Sequence, residues 1–205
     1  LTNNLLRQQM NPHFIFNSIN TLADLIEENP VQAESFTLKF SEIYRYVVTH
    51  LDDETVPVHE EIHFVKNYCE LQEISSPHTI HVEIAEELEI CKNKTLPLAI
   101  QMMVENAIKH GLAGKDGEKE LTIRISREGK GVRIVICDNG RGYLPQVASS
   151  TRGTGTGLKV LYQTIQLLNT KNKNEKIRFN IDNRNDGQTG TQVSVFIPFH
   201  FSYDL

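Results

Sequence analysis

The hydrophobic pattern changes its period part-way along the chain, and this change constrains the fold more than any other feature. Up to about residue 76, apolar side chains recur at the spacing of helices. After Pro77 the apolar segments are short, often alternating and rich in β-branched residues, which is typical of strands. The sequence therefore predicts a helical module followed by a mixed module of helices and strands, with the change of module near residues 53–60.

The helical module contains two apolar stripes separated by the turn-forming pair Asn29-Pro30. The first stripe comprises Ile15, Ile19, Leu22 and Ile26, and the second comprises Phe36, Phe40, Ile43 and Val47. This spacing predicts a helical hairpin over residues 1–55. Because two helices alone bury little apolar surface, we expect a homodimer in which two hairpins form a four-helix bundle.

A linking helix is predicted over residues 56–76, after a break around Pro57, with Ile62, Val65 and Cys69 on one face. Residues 77–205 favour an α+β fold, in which helices cover one face of a single sheet. The predicted strands are Thr79–Ile84, Leu121–Ser126, Val132–Asp138, Ile177–Ile181 and Gln192–Ile197, the predicted helices are Leu96–His110 and Leu158–Leu168, and the predicted loops are Thr170–Glu175 and Asn183–Gly190.

The composition argues against two broad classes of function. The 21 basic and 26 acidic side chains give a net charge of −5, which disfavours a nucleic-acid binder held by phosphate contacts. No apolar run approaches the roughly 18 residues that a membrane-spanning helix needs. Since the sequence begins at Leu1 without a methionine or a leader, we expect it to be part of a longer protein.

The first chemical motif is the segment Gln101–His110, which lies in a predicted helix. Glu105 and Lys109 are four residues apart, as are Asn106 and His110, so these polar groups share one side of the helix. A solvated face of an amphipathic helix explains this pattern. A carboxylate beside a carboxamide also suits a magnesium site, because Mg²⁺ takes a few oxygen ligands and retains several waters.

The second motif is a strand that ends in Asp138 and continues into Asn139-Gly140-Arg141-Gly142. A carboxylate at the end of a buried strand needs a partner, and Asp138 could accept a hydrogen bond from the amino group of a base. Gly140 and Gly142 allow the backbone to turn and to approach a ligand closely. A plain Asp-Asn-Gly turn is the alternative interpretation.

The third motif is Gly153-Thr154-Gly155-Thr156-Gly157, followed directly by the helix predicted from Leu158. A glycine-rich loop at a helix N-terminus offers free N–H groups and the positive end of a dipole, which together bind phosphate. The loop is not a Walker A motif, because Leu158 and not a lysine follows Gly157. A flexible linker is the alternative interpretation.

The order of these three motifs resembles the N, G1 and G2 boxes of the GHKL ATP-binding fold, the family of histidine kinases, Hsp90 and type II topoisomerases. Gly190-Thr191 before the last predicted strand is similar to the final nucleotide-site element of that family. The resemblance covers roughly residues 77–199. It implies the α/β sandwich of that fold, with ATP and Mg²⁺ as cofactors.

The segment Gln9–Asn20 is closely similar to the phosphoacceptor box of LytS-type (YehU-like) sensor histidine kinases. The resemblance implies that His13 receives a phosphoryl group. Pro12 removes a backbone donor and disturbs the helix locally, which would set His13 apart from a plain helical face. An imidazole with a reference pKa near 6.5 is largely a free nucleophile at neutral pH. Without the resemblance, a lone histidine among phenylalanines would be interpreted as a structural residue.

The resemblance also implies a role for each residue of the predicted nucleotide site. Asn106 would hold Mg²⁺, while Lys109 and His110 would lie near the phosphates. Asp138 would recognise the adenine amino group, Gly140 and Gly142 would allow close approach of the backbone, and Thr191 would complete the site. The triphosphate would be covered by the glycine-rich loop and the residue after it, namely Gly153, Thr154, Gly155, Thr156, Gly157 and Leu158. Glu105 would orient His13 or accept its proton.

Two residues depart from the pattern of the wider family. Phe14 follows His13, so the acidic neighbour common in the larger branch of histidine kinases is missing. Ser75 stands where a related helix commonly ends in an arginine, which puts any contact of that arginine in doubt.

The resemblance implies a kinase core on the cytoplasmic side of the bacterial inner membrane. The core would phosphorylate itself from MgATP and pass the phosphoryl group to the receiver domain of a response regulator of the LytTR type. An ATP-driven conformational clamp with water as the phosphoryl acceptor is one alternative function. An inactive dimeric signalling scaffold is another.

Overall fold

The structure is a computed structural model that describes residues 12–50, 52–75, 79–84, 90, 92–112, 115–142, 156–173 and 175–204. At Pro12, His13, residues 79–84 and Thr156 it describes the backbone alone. In chain order the elements are α1 (Pro12–Glu28), α2 (Pro30–Thr49), β1 (Val56–Pro57), α3 (Val58–Ser75), β2 (Thr79–Ile84), β3 (Lys94–Thr95), α4 (Ala99–Asn106), a π-helical turn (Ala107–Gly111), β4 (Glu120–Glu128), β5 (Gly131–Asp138), α5 (Thr156–Lys171), β6 (Arg178–Asn183) and β7 (Thr191–Pro198).

The turn between α1 and α2 has a local chemical cause. The side chain of Asn29 caps α2 by accepting a hydrogen bond from the backbone N–H of Gln32 at 3.2 Å. Pro30 occupies the first turn of α2, where its missing N–H would have no partner within the helix. These contacts confirm the break at Asn29-Pro30, and the packing of α1 against α2 confirms a helical hairpin.

The two apolar stripes of the hairpin have different environments. The second stripe packs against α3, with Phe36 and Ile43 almost completely buried, and the predicted face of α3 is buried as well. The first stripe is only partly covered, because Ile19 and Ile26 of α1 remain 51% and 58% exposed. Within the described part of one chain, much of the apolar surface of α1 therefore stays uncovered.

The larger sheet has five strands in the order β2-β4-β5-β7-β6. Strands β2 and β4 are parallel, whereas the other neighbouring pairs are antiparallel. The alternation along β5 buries Val132, Ile134 and Ile136, and Ile134 lines a small cavity together with residues of α4 and α5. The predicted α+β fold, a sheet covered on one face by helices, is therefore confirmed, as are its five strands.

The boundaries of some elements differ from the prediction. Helix α5 continues to Lys171, so the loop that was predicted to begin at Thr170 begins two residues later in the structure. Asn183, predicted in a loop, is the last residue of β6. The break predicted around Pro57 contains strand β1, which pairs with β3 and was missed because two residues cannot show a period.

Glu61 on α3 is a buried carboxylate at the junction of the two modules. It accepts hydrogen bonds from the Tyr46 hydroxyl of α2 at 2.7 Å and from the backbone N–H groups of Leu98 and Ile100 at 2.7 and 3.2 Å. Leu98 precedes α4 with a φ of +62°, a left-handed conformation that is unusual for leucine. Burial raises the pKa of Glu61 to about 7, although these three bonds oppose the rise.

We expect the stability of the fold to decrease with rising pH because of Glu61. Its pKa is 4.5 when unperturbed and about 7 in the fold, so the folded state binds the extra proton between these values. The stabilisation is complete below pH 4.5 and is lost as the pH rises through 7, by about 3 kcal/mol at about 1.4 kcal/mol per pKa unit. Urea unfolding followed by circular dichroism at pH 5 and pH 8 measures this loss.

Glu61→Gln should remove most of that difference between the two pH values. The matched control is Glu70→Gln, since Glu70 lies on the same helix but pairs with Lys39 at the surface. Equal pH dependence in the wild-type chain and Glu61→Gln would contradict the prediction.

Candidate functional site

Asp138 is the last residue of β5, and the residue is 2% exposed. Its Oδ1 atom accepts hydrogen bonds from the backbone N–H groups of Gly140 at 2.9 Å and Thr191 at 3.1 Å. Burial raises the pKa of Asp138, while these two backbone bonds act in the opposite direction. The carboxylate is therefore held mainly by backbone dipoles, and both bonds from described residues end on the same oxygen.

Three glycines fit closely around Asp138. A Cβ atom at Gly111 would overlap the Asp138 carboxylate, and one at Gly140 would overlap the carbonyl of Gly111. At Gly190 it would overlap the backbone oxygen of Asp138. The backbone thus packs against the Asp138 carboxylate at Gly111 and against the Asp138 main chain at Gly190, at distances that no other residue type permits. Gly111 had no predicted role, although it directly follows the segment that ends at His110.

Gly142 has a φ of +91°, in the left-handed region where glycine is favoured. It lies two residues after Gly140 and near the Asn183 side chain at the end of β6. The predicted turn after Asp138 is therefore confirmed as a backbone feature.

Glu105 lies near the end of α4 and has two side-chain partners. Its Oε2 accepts a hydrogen bond from Gln101 Nε2 at 2.7 Å, and its Oε1 forms an ion pair with Lys109. The prediction that Glu105 and Lys109 share one side of the helix is confirmed, and the structure adds the ion pair between them. Asn106 is the last residue of α4, and its side chain is half-buried.

After Asn106 the helix widens into the π-helical turn. The N–H of Leu112 donates to the carbonyl of Ala107, five residues earlier in the chain, at 2.9 Å, which is the bond pattern of a π turn. Single π turns in α-helices occur frequently at functional sites. This turn presents Lys109 and His110 at the surface and places Gly111 against Asp138.

His110 has a lowered pKa, first because of its partial burial and second because of the nearby Lys109 ammonium. The neutral form of its imidazole is therefore favoured.

The glycine-rich motif is only partly placed by the structure. Gly153, Thr154 and Gly155 lie outside the described residues. Thr156 begins α5, and Gly157 and Leu158 follow in its first turn. Helix α5 packs against α4, so the described end of the motif belongs to the layer that carries Glu105.

His13 lies in the first turn of α1, where the structure describes only its backbone. The next residue, Phe14, packs its ring against Tyr68 of α3, with 5.5 Å between the ring centroids. Tyr68 is buried and hydrogen-bonded to Gln101, which holds Glu105. A chain of side-chain contacts thus leads from the neighbour of His13 to Glu105. Neither Tyr68 nor Gln101 had a predicted role.

Two family models match consecutive parts of the chain. A model described as "Histidine kinase" matches residues 2–80. A model described as "Histidine kinase-, DNA gyrase B-, and HSP90-like ATPase" matches residues 91–200, more than half of the chain. The chain belongs to this ATPase family. Membership implies that the chain binds ATP, and the two matches together confirm the resemblance to sensor histidine kinases.

Curated relatives are consistent with this family. The chain is 32% identical to sensor histidine kinase YpdA of Escherichia coli, over 80% of the chain and 30% of the relative. It is 30% identical to sensor protein LytS of Enterococcus faecalis, over 76% of the chain and 28% of the relative. With LytS of Staphylococcus saprophyticus it shares 30% identity, over 95% of the chain and 33% of the relative. The chain thus spans about a third of the length of these relatives.

Solved structures of histidine kinases share the fold. The histidine kinase domain of the Erythrobacter litoralis EL346 blue-light-activated kinase has a TM-score of 0.53 at 16% identity, covering 87% of this chain and 85% of that one. The mycobacterial sensor histidine kinase MprB has a TM-score of 0.50 at 16% identity, covering 70% and 97%. None of the described helices is long and apolar enough to cross a membrane.

Proposed function

We propose that this chain is the kinase core of a two-component sensor, which uses MgATP to phosphorylate His13 and then passes the phosphoryl group to a response regulator. The observation that best supports it is the Asp138 site: a buried carboxylate held by two backbone N–H groups and enclosed by glycines. Such a site suits a planar ligand that offers a hydrogen-bond donor. The amino group of adenine is such a donor.

At the base end of the site, Asp138 accepts a hydrogen bond from the adenine amino group. Thr191 supports this role because its N–H orients the carboxylate. Gly111 and Gly140 admit no side chain, because a Cβ atom at either would overlap the Asp138 carboxylate or the Gly111 backbone, and Gly142 continues this close packing beside Asn183.

At the phosphate end, Lys109 supplies positive charge and neutral His110 supplies a ring N–H. The loop Gly153–Gly157 and Leu158 close over the triphosphate at the N-terminus of α5, where free N–H groups favour an anion.

Asn106 is the proposed ligand of Mg²⁺. Among the described residues, no three His, Cys, Asp or Glu side chains converge on a metal site. A nucleotide-bound Mg²⁺ does not require such a cluster, since phosphates and waters supply most of its ligands, and one carboxamide oxygen fits this donor set. When bound, the ion neutralises charge on the phosphates.

In the transfer step, a bond forms between a ring nitrogen of His13 and the γ-phosphorus. The bond from that phosphorus to the oxygen bridging it to the β-phosphate breaks, and ADP leaves. Glu105 orients the imidazole and accepts its proton. Positioning and charge neutralisation account for most of the catalysis of phosphoryl transfer, because its transition state is loose.

The partners follow from the hairpin and from the family. The apolar side chains of Phe16, Ile19, Ile26 and Leu38 are more than half exposed, which supports a homodimer through α1 and α2. The second partner is the receiver domain of a response regulator, of the LytTR type, whose aspartate takes the phosphoryl group. We place the core on the cytoplasmic side of the bacterial inner membrane, where ATP is available.

Incubation of the chain with γ-labelled ATP and Mg²⁺ tests this function. We expect label on the protein that is stable in base and labile in acid, as a phosphoramidate is, and that disappears when EDTA is present. Steady release of phosphate without a labelled protein would instead indicate the ATP-driven clamp. Nucleotide binding with neither product would indicate the inactive scaffold.

A further inference from the structure

Glu61 of α3 forms hydrogen bonds with α2 and with the start of α4. The proposed reaction requires these parts of the chain to keep a fixed placement relative to one another. The bond from Tyr46 to Glu61 reaches α2, which forms the hairpin with the His13 helix. The bonds from Leu98 and Ile100 reach the first turn of α4. Glu105 and Asn106 lie at the other end of α4, so any rotation of the first turn displaces these residues.

We propose that the Glu61 carboxylate is a positioning residue for phosphoryl transfer, which ties the N-terminal turn of α4 to α2 and so maintains the placement of the nucleotide site relative to His13. This inference rests on the proposed function. Glu61 itself touches neither reactant in this assignment and acts through α4.

The ionised carboxylate, although burial disfavours it, is the form that accepts these hydrogen bonds most strongly. All three partners are donors, namely one hydroxyl and two backbone N–H groups, and a carboxylate accepts from all of them. Glutamine keeps the shape but directs an NH₂ group toward one of the donors. The bond from Leu98 also holds a residue in a left-handed conformation, which orients the start of α4.

The surroundings of Glu61 contain few other titratable groups. From α2, Tyr46 contacts it, and the His50 ring lies tilted against Tyr46 with 4.4 Å between the ring centroids. His50 itself contacts Asp53 at 2.5 Å and Glu60 at 3.2 Å. From α4 only backbone N–H groups bond to it. Since burial raises the pKa of Glu61 to about 7, the ionised form is lost in mild acid.

The test compares single-turnover labelling of His13 at saturating ATP in the full chain and in Glu61→Gln, from pH 6 to pH 8. We expect the ratio of the wild-type rate to the variant rate to rise from near one at pH 6 to about tenfold or more at pH 8, because a small misplacement of reacting groups is costly. The titration of His13 affects both proteins and cancels in this ratio. The dissociation constant for ATP should change by less than about threefold, since the Asp138 contacts are intact.

Two further variants show which contact matters. Tyr46→Phe removes only the hydroxyl bond from α2, and we expect it to slow labelling at pH 8 without changing ATP affinity. Glu70→Gln is the matched control, because Glu70 also links α3 to α2, through Lys39, but has no bond to α4. It should label at the wild-type rate.

A ratio that stays constant with pH, or a rate loss matched by an equal loss of ATP affinity, would overturn the inference. If circular dichroism shows that Glu61→Gln is unfolded, Tyr46→Phe decides, and a wild-type rate in that variant overturns the inference. A wild-type chain that forms no acid-labile phosphate would reject the proposed function together with the inference. A labelled wild-type chain with an unaffected Glu61→Gln rejects the inference alone.

Discussion

Replacing His13 by glutamine is expected to abolish acid-labile labelling from ATP, while ATP binding stays within about threefold of wild type. A carboxamide has no nucleophilic ring nitrogen, so no phosphorus–nitrogen bond can form at this position. The ATP affinity should persist because His13 lies on α1, whereas the proposed base contact is made by Asp138 at the end of β5, where it bonds to Thr191 of β7.

The matched control for this variant is His63→Gln. His63 is an exposed histidine of α3, so His63→Gln makes the same side-chain replacement at the surface of a different helix. It should label like wild type. The chain has 8 histidines, so label that persists in His13→Gln would place the acceptor on another residue and reject this assignment.

The local elements of this chain were predictable from its sequence because their causes are local. The ends of β2 were predicted without error, since Thr79–Ile84 is a short run rich in β-branched residues. The break at Asn29-Pro30 was predicted because a capping side chain and a proline act on adjacent residues. The strand order and the parallel pairing of β2 with β4 depend on contacts between distant segments, and no local pattern predicts them.

The Asp138 site was predictable only in part, for the same reason. The sequence placed Asp138 at the end of a buried strand, and the structure does so too. One of the two N–H groups that hold its carboxylate comes from Thr191, 53 residues further along the chain, which only the family resemblance had placed in the site. The contact with Gly111 likewise joins separate elements. The roles assigned to Gly153, Thr154 and Gly155 remain predictions, because these residues lie outside the described part of the chain.

The burial of Glu61 could have been predicted from its position in the sequence, but it was not. With Glu60, Glu61 resembles the acidic first turn that stabilises many helix N-termini. However, Val58, Glu61, Val65 and Tyr68 recur at helical spacing, and all four are buried. A carboxylate on the apolar face of a helix must find donors elsewhere in the fold. The position of Glu61 in the stripe therefore predicts a buried polar contact, although not its partners.

Replacing Asp138 by asparagine is expected to weaken ATP binding by about 100-fold or more, because a site built to accept a hydrogen bond is left with a mispaired buried group. Asparagine can still accept the bonds from Gly140 and Thr191 through its oxygen. Its NH₂ group would then face the adenine amino group, and two donors would meet. Isothermal titration with ATP measures the loss.

We expect Asp138→Asn to leave the stability of the fold unchanged. This result would show that Asp138 acts in nucleotide binding and not in maintaining the fold. Burial raises the pKa of Asp138, so its ionised form is disfavoured in the fold, and a neutral side chain of the same shape avoids that cost. Asp182→Asn is the matched control, since Asp182 is exposed on β6. It should leave both the melting temperature and the ATP affinity unchanged.

A comparison of the ATP and GTP affinities of Asp138→Asn distinguishes loss of base recognition from general damage to the nucleotide site. Guanine presents an acceptor oxygen where adenine presents its amino group, so the NH₂ group of Asp138→Asn can donate to it. We therefore expect the preference for ATP over GTP to narrow in this variant. If ATP and GTP affinities fell by the same factor, the carboxylate would not be reading the base, and the role of Asp138 would be confined to shaping the backbone around Gly111, Gly140 and Gly190.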